Sequence, residues 1–518
     1  MFDLLIKGGR IISGSGDPWY YGDIGIRGEK IAAIGKFEEK DACRILDISS
    51  KVVCPGFIDI HTHSDVMLLA NPRHEPKIMQ GITTEVIGLD GLSYAPLSSN
   101  NLKLMRLYLA ALNGAPNIDW DWSTVTEFLD RFDRKVAINV VYLIPHSCPR
   151  LEVIGFTNSR ANREELLAMQ NIVGQSMKEG AAGISFGLDY YPGRYANTDE
   201  LIELCKTIAE HNGVSVWHMR VKDLGLMEGI KEVLKVAGES NVKVHFSHFA
   251  ANGPQNKGKS HEMLAMVDEG RAKGIDITFD SYPYVSSSTS LIIFFPGWAH
   301  DGGPNALLAR LADHQTKKKI CEELEVAKPD WERIFLAVAE SEKNSNYVGR
   351  SFKEGAEMAG KNPAEFLCDL AYEEKLNAGH ISFTGNEEDI KRIMQHPCHT
   401  LCSDGILVGG KPNPRGWGAF PRSLGHYCRQ LGVMSIEQTV RRMTSAPAQC
   451  LGLNDRGLIK EGLAADLVVF DSDTVIDTAT FEEPRNYPTG IDYVIVNGAV
   501  AIEKNKHTGV LNGKALKK

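Results

Sequence analysis

The sequence predicts an α/β protein built on a (β/α)8, TIM-like barrel, with a small β-sandwich domain drawn from both termini and a helical insertion acting as a lid. Three observations predict it. Short apolar runs alternate with helical stretches eight times through the middle of the chain, both ends carry alternating strands punctuated by glycine, and one long stretch interrupts the rhythm. Strand–helix alternation is the pattern that a parallel barrel requires. A chain of 518 residues is too long for one simple domain but suits a large barrel with an insertion and a smaller domain.

At the N-terminal end, "DLLIKGGRIISG" and "GDIGIRGEKIAAIG" alternate apolar and polar residues around glycine turns, which reads as antiparallel strands. "AADLVVFDSDTVID" and "IDYVIVNGAVAIEKN" repeat the pattern near the other end, so residues 1–54 and 451–518 are assigned to one β domain. Residues 55–450 are assigned to the barrel. Its strands are expected in "VVCPGFIDI", "TTEVIG", "INVVYLI", "GISFG", "VSVWHMR", "VKVHFSHF", "IDITFDSYPY" and "HTLCSDG". Among the intervening helices, "NTDELIELCKTIAEHNG" offers Asn197 or Thr198 as its cap. From about 286 to 380 only helical segments are read, and these form the insertion. The final "LNGKALKK" reads as a solvated terminus.

Composition is that of an ordinary globular protein, 43% hydrophobic and 24% charged. Runs such as "LIIFF" are too short to span a bilayer, and "MFDLLIKGGRIISG" lacks the features of a signal peptide, so a cytoplasmic location is expected. The net charge of −9 argues against nucleic acid or an anionic membrane as partner. A small-molecule substrate is the expected partner, and a homo-oligomer is left open. The ten cysteines are scattered without a CxxC pair, and Cys54, Cys148 and Cys402 read as small buried hydrophobes.

Polar residues gather at the carboxyl ends of the proposed strands. His61 and His63 close the first, in "GFIDIHTHSD", and positions i and i+2 of a strand share a face. Two buried imidazoles side by side need a polar partner, which a cation, carboxylates or waters could all supply. Asp90 follows the second strand, His218 and His248 end two later ones, and Asp404 ends the last. In a barrel those strand ends converge on one face, where active sites sit. Jointly these side chains point to a metal centre.

"PGFIDIHTH", single histidines ending two later strands, an aspartate ending the last, and "IKEGLAADLVVFD" resemble the amidohydrolase superfamily. Within it the chain most resembles the D-aminoacylase (N-acyl-D-amino-acid deacylase) family. The matching stretches run nearly end to end: "GITTEVIGLDGLSYAP", "HMR", "SHF", "DSYPY", "LCSDG", "NPRGWGAFPRSLGHYCR" and "ATFEEPRNYPTGIDYVIVNG". The resemblance implies hydrolysis of an N-acyl-D-amino acid to a carboxylate and the free D-amino acid. It also implies that His61, His63, His218 and His248 bind one or two Zn2+ ions while Asp404 is the catalytic acid/base. Relatives usually carry "NCG", with a ligating cysteine, where this chain has Leu89-Asp90-Gly91. Asp90 is expected to remain a ligand, and as a harder donor than thiolate it could shift the site toward another divalent metal. Relatives often have lysine at Ala250, so a substrate contact carried there is missing here.

Arg415 is the first candidate to clamp a substrate carboxylate, since guanidinium can do so bidentately. Tyr191, Tyr282 and Ser288 are expected to complete the polar wall. Arg422 and His146 read as structural, and Phe295 and Trp298 as either a cover for the acyl group or the lid's own core. The alternatives are a cyclic-amide hydrolase of hydantoinase or dihydroorotase type, a D-residue-specific peptidase, and a non-catalytic assembly protein on the same fold. The first usually needs a carbamylated strand-end lysine, which "INVVYLIPHS" and "GISFGLDY" do not offer.

Overall fold

In the computed structural model, which describes residues 1–518, eight parallel strands follow one another around a ring in sequence order. They are β1 (Phe57–Asp59), β2 (Ile82–Ile87), β3 (Asn139–Pro145), β4 (Gly183–Gly187), β5 (Val214–His218), β6 (Lys243–Phe246), β7 (Ile277–Ser281) and β8 (His399–Leu401). Each falls in one of the eight apolar runs. Every residue of β3 is buried, as expected of a parallel strand covered on both faces. Pairing is continuous from β1 to β8. Two short continuations close the remaining gap: Thr62–His63 pairs in parallel with Gly405–Ile406. The N–H of Asp404 also donates to the carbonyl of His61 at 2.8 Å. The ring is therefore sealed at its carboxyl end.

The helices pack outside the ring and start where the sequence provides caps. Asn162 and Glu165 form a reciprocal capping box at the start of helix Arg163–Lys178. Asn197, rather than Thr198, caps helix Thr198–Glu210 by accepting from the Glu200 N–H at 3.0 Å.

Both chain ends meet in one nine-stranded sheet, in which Leu4–Ile11 and Tyr20–Arg27 lie with Leu467–Phe470 and Ile491–Val496. It encloses a small apolar core of its own that includes Leu4, Ile24, Leu467 and Ile495. Val468, Phe470 and Val494 face the other way and join the barrel core, which fastens the two units together.

Three expectations need correction. The run Val52 to Ile60 is two strands, because Val52–Pro55 pairs with Leu467–Phe470 in the terminal sheet and only Phe57–Asp59 enters the ring. Gly56 makes the break: a Cβ there would lie 2.1 Å from Thr83 Oγ1, so the chain passes only because glycine has none. The insertion is not purely helical. Ser286–Ser290, Gly379–Phe383 and Ile334–Val338 form a three-stranded antiparallel sheet within it. The last residues are also not simply solvated, since Lys514 and Leu516 exchange backbone hydrogen bonds with Val140 at the base of β3, both at 2.8 Å. No helix is long and apolar enough to cross a membrane.

Candidate metal centre

Six side chains from five places in the ring converge at its carboxyl mouth. His61 and His63 leave β1, Asp90 follows β2, His218 is the last residue of β5, His248 lies just beyond β6, and Asp404 sits between β8 and the closing segment. His61 is fully buried, and His218 and His248 are partly open. Three overlapping sets have donor atoms within 4.8 Å of one another: His61, His63 and Asp90; Asp90, His218 and His248; His61, His248 and Asp404. Asp90 belongs to two sets, facing His61 at 3.6 Å through Oδ1 and His218 and His248 at 3.4 Å through Oδ2.

The donor chemistry fits a cation. Both ring nitrogens of His61 and the Oδ1 of Asp90 are buried without a hydrogen-bond partner. Left that way, such groups carry a desolvation cost of roughly 1–3 kcal/mol each. His218 Nδ1 and His248 Nε2 lie 2.9 Å apart and both face the same carboxylate, an arrangement of groups aimed at one point. Imidazole nitrogen and carboxylate oxygen are ordinary zinc donors. The backbone is bent to the purpose: Asp90, His248 and Asp404 have φ of 53°, 32° and 45°. Left-handed conformations of this kind cost on the order of 1–3 kcal/mol each and cluster at functional sites.

A second ring of carboxylates orients the imidazoles. Asp280 of β7 is fully buried, accepts from the His248 N–H at 2.7 Å, pairs with His245 at 2.9 Å and faces His61 Nδ1 at 3.6 Å. Asp189 faces His218 Nε2 at 3.5 Å. Burial pushes the His218 imidazole down, but Asp90 and Asp189 outweigh it and hold the group at about 10. For Asp404 burial pushes up, while Arg415 and His63 pull it down to about 2. Asp90 lies well below the usual carboxylate range because His61, His248 and His218 overcome its burial. Asp90 and Asp404 thus favour the ionised form, and a cation binding at His218 would displace the proton that Asp90 and Asp189 hold there.

The predicted substrate residues divide. Arg415 is fully buried; its Nη2 lies 3.0 Å from Asp404 Oδ2 and 3.3 Å from the Ser288 carbonyl, and its guanidinium packs 4.3 Å from the Tyr282 ring centre. Its Nε and Nη1 have no partner. Tyr282 and Ser288 both line the cleft over the donors, although the Ser288 hydroxyl is engaged by the His380 carbonyl at 2.8 Å. Tyr191 is not in that cleft. Its ring stacks on His300 with centres 4.1 Å apart, and it lines a separate outer groove. The neighbouring Tyr190 takes the place: it lines the cleft and shares a hydrogen bond with Thr289 Oγ1 at 2.8 Å. His146 pairs with Glu200 at 2.8 Å, Arg422 bonds the Pro283 carbonyl at 2.8 Å, and Trp298 bonds Glu323 at 2.9 Å, all outside the cleft. Asp189, Tyr190 and Asp280 were not anticipated as site residues. The quoted "DSYPY" and "GISFGLDY" hold all three at or just past a strand end, which is the signal that could have found them.

A parallel eight-stranded ring with four histidines and two aspartates at its carboxyl mouth defines a metal-dependent barrel hydrolase. The chain belongs to the amidohydrolase family, whose model matches residues 44–502. It is 35% identical over 520 residues to the D-aminoacylase of Alcaligenes xylosoxydans xylosoxydans, covering 99% of this chain and 97% of that one. It is likewise 35% identical over 500 residues to that organism's N-acyl-D-glutamate deacylase, covering 96% and 93%. Among solved structures, the N-acyl-D-glutamate deacylase of Bordetella bronchiseptica, complexed with zinc and a phosphonate mimic of the tetrahedral intermediate, superposes with TM-score 0.87 at 33% identity over 100% of both chains. An L-hydantoinase from Arthrobacter aurescens, at 17% identity and TM-score 0.58, shares the fold alone.

Proposed function

We propose that this protein is a zinc-dependent amide hydrolase that removes the acyl group from N-acyl-D-amino acids, releasing a carboxylate and the free D-amino acid. The observation that carries the reading is the placement of one carboxylate between a set of cation donors and a buried guanidinium. His61 and Asp90 present buried donors for a cation, Arg415 presents buried donors for an anion, and Asp404 lies within 3.6 Å of both His61 and Arg415. A substrate with a scissile amide next to a free carboxylate matches that spacing. The near full-length likeness to named deacylases supports the same chemistry.

In this reading His61, His63, Asp90, His218 and His248 hold the zinc, which when bound polarises the amide carbonyl and makes water reactive near neutral pH. Asp404, held ionised by Arg415 and His63, accepts the proton of the attacking water and passes it to the departing nitrogen. Arg415 takes the substrate carboxylate on Nε and Nη1, with Tyr282 and Ser288 beside it. Asp280 and Asp189 fix the rings of His61 and His218. We also place the enzyme in the cytoplasm as a small-molecule enzyme, a reading supported by ten unpaired cysteines. A cyclic-amide hydrolase is disfavoured because the buried Lys77 is engaged by Asp59, Thr62 and Ser403, each at 2.7 Å, instead of entering the donor sets.

The test is Asp404→Asn in zinc-replete protein, assayed on N-acetyl-D- and L-amino acids beside hydantoin and dihydroorotate. Turnover of the D-substrates should fall by ~10³-fold or more with zinc content unchanged. Undiminished catalysis would overturn the assignment.

A further inference from the structure

We propose that a cavity at the amino end of the barrel, on the face opposite the metal centre, binds a phosphate dianion, either free or as the phosphate of a small ester. The site lies outside the deacylase chemistry and does not depend on it.

The cavity opens where β5, β6, β7 and β8 begin and has a volume of about 430 Å³, against about 200 Å³ for the cleft over the metal donors. Three cations from three different elements line it. Lys243 is the first residue of β6, Arg271 lies in the last turn of helix Ser260–Ala272, and Arg441 lies in the last turn of helix Ile436–Met443. None of the three forms an ion pair within the protein. Arg271 spends only Nη1, on the Ile277 carbonyl at 2.8 Å, and the other two donate no side-chain hydrogen bond.

The counter-charge is too small. Asp276 is the one carboxylate in the lining, and Asp268, which also acts on the lining Cys398, is paired with His396 at 3.1 Å. Three positive charges less one negative leave a surplus of two, in a chain whose net charge is −9. A phosphate ester carries roughly −1.5 to −2 at pH 7, which matches that surplus where a single carboxylate does not. Guanidinium forks take phosphate oxygens bidentately, and an ammonium group adds a point charge. Cations gathered without counter-charges repel one another, and an anion between them removes that cost.

Two buried side chains at the cavity add to the case. Arg442 lies next to Arg441; its Nη1 donates to the Pro397 carbonyl at 2.6 Å, while its Nε is buried without a partner and no carboxylate pairs with it. Burial and then Arg441 push its guanidinium down to about 10, as expected where positive charge is left uncompensated. His399 is fully buried in the cavity wall, with Nε2 at 2.9 Å from Ser281 Oγ and Nδ1 unpartnered. Burial and then Arg442 hold its ring neutral. In the tautomer where Ser281 donates to Nε2, Nδ1 carries the hydrogen and is free for an oxyanion.

The experiment is calorimetric titration of zinc-replete protein with inorganic phosphate and, separately, with ribose 5-phosphate, at fixed ionic strength in chloride. Saturable binding of one equivalent at this site is expected, and the tighter of the two probes tells free phosphate from an ester as its source. Lys243→Met and Arg441→Met, which give up no internal hydrogen bond, should each weaken binding at least ~10-fold. Zinc content and turnover of N-acetyl-D-amino acids should stay at wild-type values in both. Arg415→Met should leave the phosphate affinity unchanged, which separates this site from the metal centre. Absence of saturable binding overturns the inference, and so does binding that neither Lys243→Met nor Arg441→Met weakens. The deacylase reading stands under every one of these results.

Discussion

Lys77 sits where the barrel is sealed, and replacing it with methionine gives a quantitative test of how the site is held. The residue is fully buried, and its Nζ donates to Asp59 Oδ2, Thr62 Oγ1 and Ser403 Oγ, each at 2.7 Å, with Glu85 Oε1 at 3.2 Å. Asp59 lies two residues before His61, and Ser403 immediately precedes Asp404. One ammonium group therefore ties β1 to the exit of β8 directly beneath the donors. Methionine preserves length and removes the charge, leaving Asp59 and Glu85 buried without it. Breaking a buried ion pair from one side costs about 3–5 kcal/mol, and the two hydroxyl acceptors add on the order of 1 kcal/mol each. Against typical stabilities of roughly 5–15 kcal/mol that is a large fraction. Denaturant unfolding followed by circular dichroism should show a clear drop in midpoint. The folded fraction should lose ~100-fold in kcat, because displacing Asp404 or His63 by about 1 Å is enough to do so. Adding Asp59→Asn should recover part of the stability, since it removes one stranded charge. An unchanged midpoint with kcat within about twofold of wild type would refute the reasoning.

Other outcomes follow from the same structure. Burial pushes the carboxyl of Glu85 up, but His74 and Lys77 outweigh it and lower it from 4.5 to about 2. A depressed carboxylate stabilises the fold above its unfolded value and loses that contribution as pH falls, so about 3 kcal/mol should disappear between pH 4.5 and 2. Glu85→Gln should flatten the pH–stability curve in that window; an unaltered curve would exclude the effect. Asp280→Asn should weaken zinc affinity by about 10–100-fold while far-ultraviolet dichroism stays native. Asp90→Gly, which keeps the left-handed backbone, should lower the zinc measured per chain or its affinity, and wild-type values for both would remove Asp90 from the ligand set. Dialysis against a chelator should abolish turnover and lower the unfolding midpoint, with zinc restoring both.

The ring was legible because each of its strands is a short, largely buried run, with a polar side chain at or soon after the end of several, as His218 ends β5. The six side chains that converge at its mouth were legible because they lie at or just past strand ends. What escaped was set by contacts distant in sequence or by local geometry without periodicity. Lys77 looks like any helical lysine until chain closure brings Ser403, 326 residues away, against it. Tyr190 and Tyr191 lie in a turn beyond β4, where strand alternation no longer says which side chain faces inward. The insertion strand "IFLAV" is five residues long, too short for its pattern to distinguish strand from helix. The substrate role proposed for Arg415 was read from guanidinium chemistry, with family resemblance in support; its unpartnered donors came only from the fold.

The left-handed backbone at Asp90, His248 and Asp404 sets a rule for remodelling this enzyme. Valine, isoleucine or threonine at these sites would be discarded as folding defects before their reactivity could be sampled, because branching at Cβ tolerates that twist worst. Asparagine and glycine are the replacements that leave the main chain in place, so they alone separate the loss of a donor from the loss of a shape. Directed evolution of new selectivity should therefore diversify Met219 and Leu226, whose main chain is unconstrained in this way, and leave the twisted trio untouched.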